Sequence, residues 1–246
     1  MLFLLGAVIE EITMRLIMIR HPKTEANERK LVYGWTDALY SEAGKATIPW
    51  IVEKLHDVKI DRIYTSPLTR TRLLAEAIAA DHAMTAGDAA DHGAAVGESA
   101  GCGVGTAPEI LEDHRIMEMN FGKFENKTTA ELEKEYPEEF RSYRENFNDA
   151  VVPGGESYRQ VAERTVAFLK EIYQRHEGER TGEEETVVVV SHSLVIHAAM
   201  GYLLGVDLDD VWHFKTEPGT VVDFDWRYEY AMLQGLYGPF NVREVK

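Results

Sequence analysis

Apolar positions along the chain alternate between short unbroken runs and stripes with helical spacing. Leu16-Ile17-Met18-Ile19 is the first run, long enough for a buried strand, and it ends abruptly at Arg20-His21-Pro22. Lys59 to Thr65 reads as a second short strand. Thr186 to Val190 reads as a central parallel strand, because its valines leave no polar face. Helical stripes lie between these runs. Ser41 to Val58 places Ile48, Ile51, Val52 and Leu55 on one face, with Pro49 forcing a kink or a restart. Ser66-Pro67 supplies a cap and a first-turn proline for a helix whose Leu73, Leu74, Ala77 and Ile78 face inward and whose first turn holds Arg70. Ser157 and Gln160 make a capping box for a helix with Tyr158, Val161, Thr165, Phe168, Leu169 and Ile172 on one side. A last helix follows Ser191-His192-Ser193, with Leu194, Val195, Ala198, Ala199 and Leu203 as its apolar positions. Strands alternating with helices predict an α/β protein with a parallel sheet.

Three stretches interrupt this alternation. Residues 82–108 are Ala, Gly and Asp with little else and no period, and read as a flexible insertion. Residues 122–153 carry acidic helical stretches around Thr129 to Tyr136 and Phe140 to Phe147, separated by Pro137, and read as a cap over a site. Met1 to Ile9 is almost wholly apolar but lacks a basic start and is followed by Glu10-Glu11, so it fits neither a secretion signal nor a membrane span. Residues 1–13 are therefore expected to be an extension before a natural start at Met14. Residues 14–246 are expected to form one domain.

Composition narrows the function classes. A 246-residue chain that is 45% hydrophobic can bury a full core. The formal charge of −16, with no long basic stripe, argues against nucleic acid as a partner. Cys102 is the single cysteine, so no disulfide framework or thiolate metal site exists, and a cytoplasmic location fits. Val221 to Met232 could supply an edge strand beside a second copy, which leaves a homodimer open.

The chemistry concentrates where strands end. Arg20 and His21 sit at the carboxyl end of the first strand, Ser66 to Arg70 follow the second, and His192 follows the valine strand. Open α/β sheets bind their ligands at such ends. Two arginines, two imidazoles and a helix N-terminus meeting in one crevice make a phosphate site, in which one imidazole can act as nucleophile. Glu118, flanked by Met117 and Met119, is expected to be shielded from water and so to have a pKa raised toward proton-transfer use. A metal site fits poorly, since arginines crowd the crevice and His192 and His197 miss the four-residue helical spacing of paired ligands. His56, His82, His92, His114, His176, His197 and His213 are expected on the surface or in the core. Gly101-Cys102-Gly103-Val104-Gly105 has neither a preceding strand nor a following Gly-Lys-Ser/Thr, and is not a nucleotide loop.

Six motifs then occur in one order: Arg20-His21-Pro22-Lys23-Thr24-x-x-Asn27, Tyr33-Gly34-Trp35-Thr36-Asp37, Ser66-Pro67-Leu68-Thr69-Arg70, Glu118-x-x-x-Gly122, Gly154-Gly155-Glu156-Ser157 and Ser191-His192. In this the chain, from about Met14 to Gly219, resembles the histidine phosphatase (phosphoglycerate mutase-like) superfamily. It looks most like the alpha-ribazole phosphatase and broad-specificity phosphatase branch, given the short span from Glu118 to Gly154 and the stretch Val211-Trp212-His213-Phe214-Lys215. The resemblance implies a three-layer α/β/α sandwich with a mostly parallel central sheet and a small helical cap. It also implies a phosphomonoesterase acting on a small phosphorylated metabolite, with no metal or other cofactor. His21 would be the nucleophile and Glu118 the acid and then base. Arg20, Arg70 and His192, with Asn27, would hold the phosphoryl oxygens, and Thr24 and Ser193 would donate from the rim. Pro22 stands where the family usually has Gly, Lys23 where it usually has Glu, and Ser193 where Gly is common. None of these removes a catalytic group. A mutase passing the phosphoryl group to another acceptor and a silent phosphoester-binding module are the alternatives.

Overall fold

The apolar runs Leu16 to Ile19 and Val187 to Val190 lie side by side. The computed structural model describes residues 13–91, 107–178, 185–227 and 230–239. Its strands are β1 (Thr13–Arg20), β2 (Arg62–Thr65), β3 (Glu109–Glu112), β4 (Glu185–Ser191), β5 (Val221–Arg227) and β6 (Tyr230–Tyr237). They form one sheet in the order β3-β2-β4-β1-β5-β6. The first four in that order run parallel, and β5 and β6 form an antiparallel hairpin that pairs with β1. Arg20 is the register partner of Ser191, so the ends of β1 and β4 stand level.

Both faces of the sheet are covered, which is why β1 and β4 are apolar without alternation. Leu16, Met18, Val187 and Val189 pack on one face with helices α7 (Tyr158–Gly178) and α8 (Ser193–Leu204). Ile17, Ile19, Val188 and Val190 pack on the other with α3 (Ile48–Leu55) and α4 (Thr69–Asp91). Each of these side chains taken out of water contributes roughly 1.5–3 kcal/mol. The result is the expected three-layer arrangement. The short helices α1 (Glu25–Glu28) and α2 (Glu42–Lys45) connect β1 to α3, and α5 (Thr129–Glu135) and α6 (Pro137–Glu145) form the cap.

Several local expectations hold. Ser157 and Gln160 exchange the two hydrogen bonds of a capping box, at 2.9 and 3.3 Å, and all six apolar-face residues of α7 are buried. Pro49 restarts the helix rather than kinking it, in the first turn of α3. Other expectations need correction. The helix after Ser66 begins at Thr69, and the Ser66 hydroxyl accepts from the Leu68 N–H at 3.4 Å. Its inward stripe is Leu74, Ala75, Ile78 and Ala79, one residue round from the expected face, and Leu73 is 42% exposed. Helix α4 also runs on to Asp91, so residues 82–91 are helical rather than irregular, because alanine propagates a helix without needing an apolar stripe. Within the Val221 to Met232 stretch, β5 is not an edge, since it lies between β1 and β6, whereas Tyr230 to Met232 belong to β6, which with β3 is one of the two edge strands among the described residues. The extension up to residue 12, the glycine-rich stretch with Cys102 and the remainder of the expected insertion up to residue 106 lie outside the described residues. No helix among the described residues is long and apolar enough to cross a membrane.

Candidate active site

His21 and His192 emerge from adjacent parallel strands with their ring centroids 5.3 Å apart. Both are buried. The Nδ1 of His21 lies 2.7 Å from the Pro22 carbonyl oxygen. A carbonyl can only accept, so Nδ1 carries the proton and Nε2 keeps its lone pair. Burial, and then the neighbouring Arg70 and Arg20 charges, hold this imidazole well below its ordinary pKa, so it is neutral. Proline in place of glycine removes an N–H here but keeps the carbonyl that fixes the tautomer. The Nε2 of His192 lies 2.9 Å from the Ser66 hydroxyl, while its Nδ1 is buried with no partner among the described residues. When that hydroxyl donates to Nε2, the His192 proton sits on Nδ1, although His192 lies behind the residues that line the cleft rather than among them.

The two arginines are gripped by carbonyls rather than by carboxylates. Arg70, 1% exposed, donates through Nη2 to Gly34 O at 2.6 Å and through Nη1 to Thr36 O at 3.1 Å. Its guanidinium lies 4.9 Å over the Tyr33 ring, and the Tyr40 hydroxyl donates to its carbonyl. Its carboxylate partner Asp37 is 3.9 Å away and half exposed. Arg20 donates through Nη1 to the Thr216 carbonyl. Carbonyls fix a guanidinium without cancelling its charge. The Nε of each arginine is buried without a partner among the described residues. With His192 Nδ1, three buried donors thus surround His21 and await an acceptor, an arrangement that native interiors otherwise avoid.

Glu118 completes the ring. It is 7% exposed, and its Oε1 accepts from the Met119 N–H at 3.1 Å and the Leu194 N–H at 3.3 Å. Burial pushes its pKa up against the opposing pull of Arg20, in line with the expected shielding by Met117 and Met119. The loop that carries it is held from α7. Arg164 donates to the carbonyls of Arg115, Met117 and Glu118 at 2.6–3.0 Å and pairs with Glu156 at 2.9 Å. Glu156 also accepts from the Asn120 N–H at 2.8 Å. Neither role is readable from the sequence. Glu156 lies in one of the six motifs but without an evident task, and Arg164 carries no local signal at all.

Asn27 lines the same cleft, and Thr24 does not. Thr24 is fully buried at the cap of α1, where its hydroxyl and its N–H each donate to Asn27 Oδ1 at 3.0 Å. The Tyr33 hydroxyl lies 2.7 Å from the Thr24 hydroxyl. Thr24 therefore occupies the Asn27 oxygen, and the amide nitrogen is the donor that Asn27 has left to offer. Ser193 stands in the cleft wall at the start of α8, its hydroxyl 3.5 Å from Thr216 Oγ1. Lys23, by contrast, lies 3.7 Å from Glu28 and does not line the cleft. His197 is a core histidine, its Nδ1 and Nε2 lying 2.8 and 3.0 Å from the Ser193 and Phe214 carbonyl oxygens, one of which accepts its single ring proton in the neutral form.

The cleft has a volume of about 740 Å³ and extends from this buried end to the cap. Its outer part is lined by Phe147 and Trp212, whose rings meet edge to face at 5.3 Å, and by Asp149, Arg159 and Asp209. A sequence model described as Histidine phosphatase superfamily (branch 1) matches residues 16–90 and 97–237. The chain belongs to that superfamily. Within it, the chain is 32% identical to Phosphoserine phosphatase 1 of Hydrogenobacter thermophilus over 82% of this chain and 81% of the relative. It is 24% identical to the adenosylcobalamin/alpha-ribazole phosphatase of Escherichia coli, over 91% of this chain and 95% of the relative. Its fold is similar to the crystal structure of the alpha-ribazole phosphatase from Shigella flexneri, with a TM-score of 0.75 at 22% identity, covering 91% of this chain and 96% of the other.

Proposed function

We propose that the chain is a phosphomonoesterase that works through a phosphohistidine on His21. The observation that carries this reading is the neutral, tautomer-fixed His21 ringed by the partnerless donors of Arg20, Arg70 and His192. In the first step Nε2 of His21 attacks phosphorus in line, a P–N bond forms, the ester P–O bond breaks, and Glu118 protonates the departing alkoxide. In the second, the Glu118 carboxylate takes a proton from water, whose oxygen attacks the phosphohistidine, breaking the P–N bond and releasing phosphate. Arg20, Arg70, His192 and Asn27 hold the equatorial oxygens, where the charge lies in a loose phosphoryl transfer. On this reading the arginines do the work of a metal ion, and turnover persists in chelator.

The substrate is a small phosphorylated metabolite. Alpha-ribazole 5′-phosphate is supported by the likeness to alpha-ribazole phosphatases and by the aromatic wall of Phe147 and Trp212. Phosphoserine is supported by the relative at 32% identity and by the charges of both signs at Asp149, Arg159 and Asp209. The test is phosphate release from these two, 3-phosphoglycerate and p-nitrophenyl phosphate, without added bisphosphoglycerate, together with trapping of an acid-labile phosphoenzyme. Release with a trapped intermediate is expected. Phosphate binding without release points to a silent module, and release or transfer that requires the bisphosphate points to a mutase.

A further inference from the structure

We propose that Glu125 is a positioning residue that sets the orientation of the Arg70 guanidinium, an inference that rests on the phosphoryl-binding role given to Arg70 above. Glu125 follows the short 3-10 turn Gly122–Phe124, below the cap. Its Oε1 accepts from the N–H groups of Gly34, Trp35 and Phe121 at 3.0, 3.0 and 3.1 Å. Its Oε2 accepts from Gly34 at 3.1 Å and Thr36 at 3.2 Å. One carboxylate thus collects four backbone donors, three of them from consecutive residues. The carbonyls of that same loop, Gly34 O and Thr36 O, are the two acceptors of the Arg70 fork.

Peptide geometry makes the coupling directional. The Gly34 carbonyl and the Trp35 N–H belong to one planar unit and point opposite ways. Fixing that N–H on Glu125 therefore aims the carbonyl at Arg70, and the peptide dipole lies favourably between an anion and a cation. Glu125 orients the arginine in this way while its own charge is spent on N–H groups, so the arginine stays available to an anion. The loop has no slack in which to adjust. A Cβ on Gly34 would lie 1.7 Å from the Met119 carbonyl oxygen, so this segment is pressed directly onto the segment that carries Glu118. Phe121, on that second segment, supplies the fourth donor, and Glu125 ties the arginine's socket to the acid's loop.

The test is a double-mutant cycle on orthovanadate affinity, measured by titration calorimetry on the full chain, so that turnover is not needed. Glutamine cannot accept with its amide nitrogen, so Glu125→Gln strips an acceptor from at least one of the four N–H groups. It should weaken vanadate binding about tenfold when Arg70 is present and less than about twofold in the Arg70→Ala background, the non-additivity expected of coupled residues. Equal weakening in both backgrounds, or none in either, overturns the proposal, because a merely structural role lowers the melting temperature without coupling to Arg70. If Glu125→Gln does not fold, Glu125→Asp, which keeps the charge and shortens the reach, goes through the same cycle: coupling to Arg70 supports the proposal and additivity overturns it. Absence of vanadate binding by the unaltered chain overturns the phosphoryl reading and this one together, whereas binding with additive effects overturns this one alone.

Discussion

The two ends of the cleft are built by different means. At the inner end, His21, Arg20, Arg70 and Glu118 are each fixed by backbone groups: the Pro22, Thr216, Gly34 and Thr36 carbonyls, and the Met119 and Leu194 N–H groups. At the outer end, side chains hold side chains in the open. Arg159 pairs with Asp149, Asn148 donates to Asp209 at 2.6 Å, and Arg144 reaches Glu133 at 3.3 Å, with every ion-paired group there about half exposed or more. Exposed pairs of this kind contribute little to stability and exchange partners easily. The contrast separates two tasks. A phosphoryl group is the same in every substrate and rewards a rigid mould, whereas leaving groups differ and are met by contacts that can be rearranged.

The sharpest way to break that division is at its centre. His21→Ala should lower turnover by about 10⁴-fold or more on every substrate and abolish phosphoenzyme trapping; retained trapping would show a different nucleophile. Next, Glu118→Gln should slow alkyl phosphates by about 10²- to 10³-fold and p-nitrophenyl phosphate far less, since a good leaving group needs no proton. Equal slowing of both would reduce Glu118 to a positioning role. In the unaltered chain the rate on alkyl phosphates should fall as pH rises through the raised Glu118 pKa, and this alkaline limb should vanish in the variant.

A smaller effect is expected at the outer end. Trp212→Ala should raise KM for the best metabolite about fivefold while leaving kcat on p-nitrophenyl phosphate unchanged, the scale of one lost aromatic contact. A fall in kcat on both substrates would mean that the outer wall shapes the inner mould, and the division would fail. An effect of another kind is on stability. His21 and His192 both titrate below their ordinary value in the fold, so the unfolded chain binds more protons just below pH 6.5. Their contribution is fully present above about pH 6.5 and is lost as pH falls toward the folded-state values, by at most about 2.7 kcal/mol per pH unit for two protons. Melting temperatures in phosphate-free buffer should show this slope, and His192→Ala should flatten it.

The inner end is the legible end, and for a physical reason. An unbroken apolar run stops where its strand leaves the doubly covered sheet, so the point where Leu16 to Ile19 gives way to Arg20-His21 marks a strand's carboxyl end, and the same holds for the valine run before His192. Arg70 is placed by the turn chemistry of Ser66-Pro67, although the helix starts two residues later than a simple cap would set it. The stripe of α4 reads one residue off because its alanines pack as well as its leucines. Thr24 reads as a rim donor because a hydroxyl near a site suggests contact, whereas its local capping bonds absorb it. Arg164, Glu156 and Glu125 act by gripping backbone atoms far away in the chain, and backbone atoms leave no trace in a residue pattern.

The level ends of β1 and β4 also set a timetable. Strand β1 is flanked by β4 and β5, so both of its neighbours come from residues 185–227, far later in the chain. Until then Leu16 to Ile19 has no sheet to join, the long-range closure that slows folding and exposes apolar segments. His21 is therefore made long before β4 and β5 and gains its surroundings only with them. Before β4 is made, the chain carries His21 as an ordinary, solvated histidine, without the buried neighbours that hold it neutral.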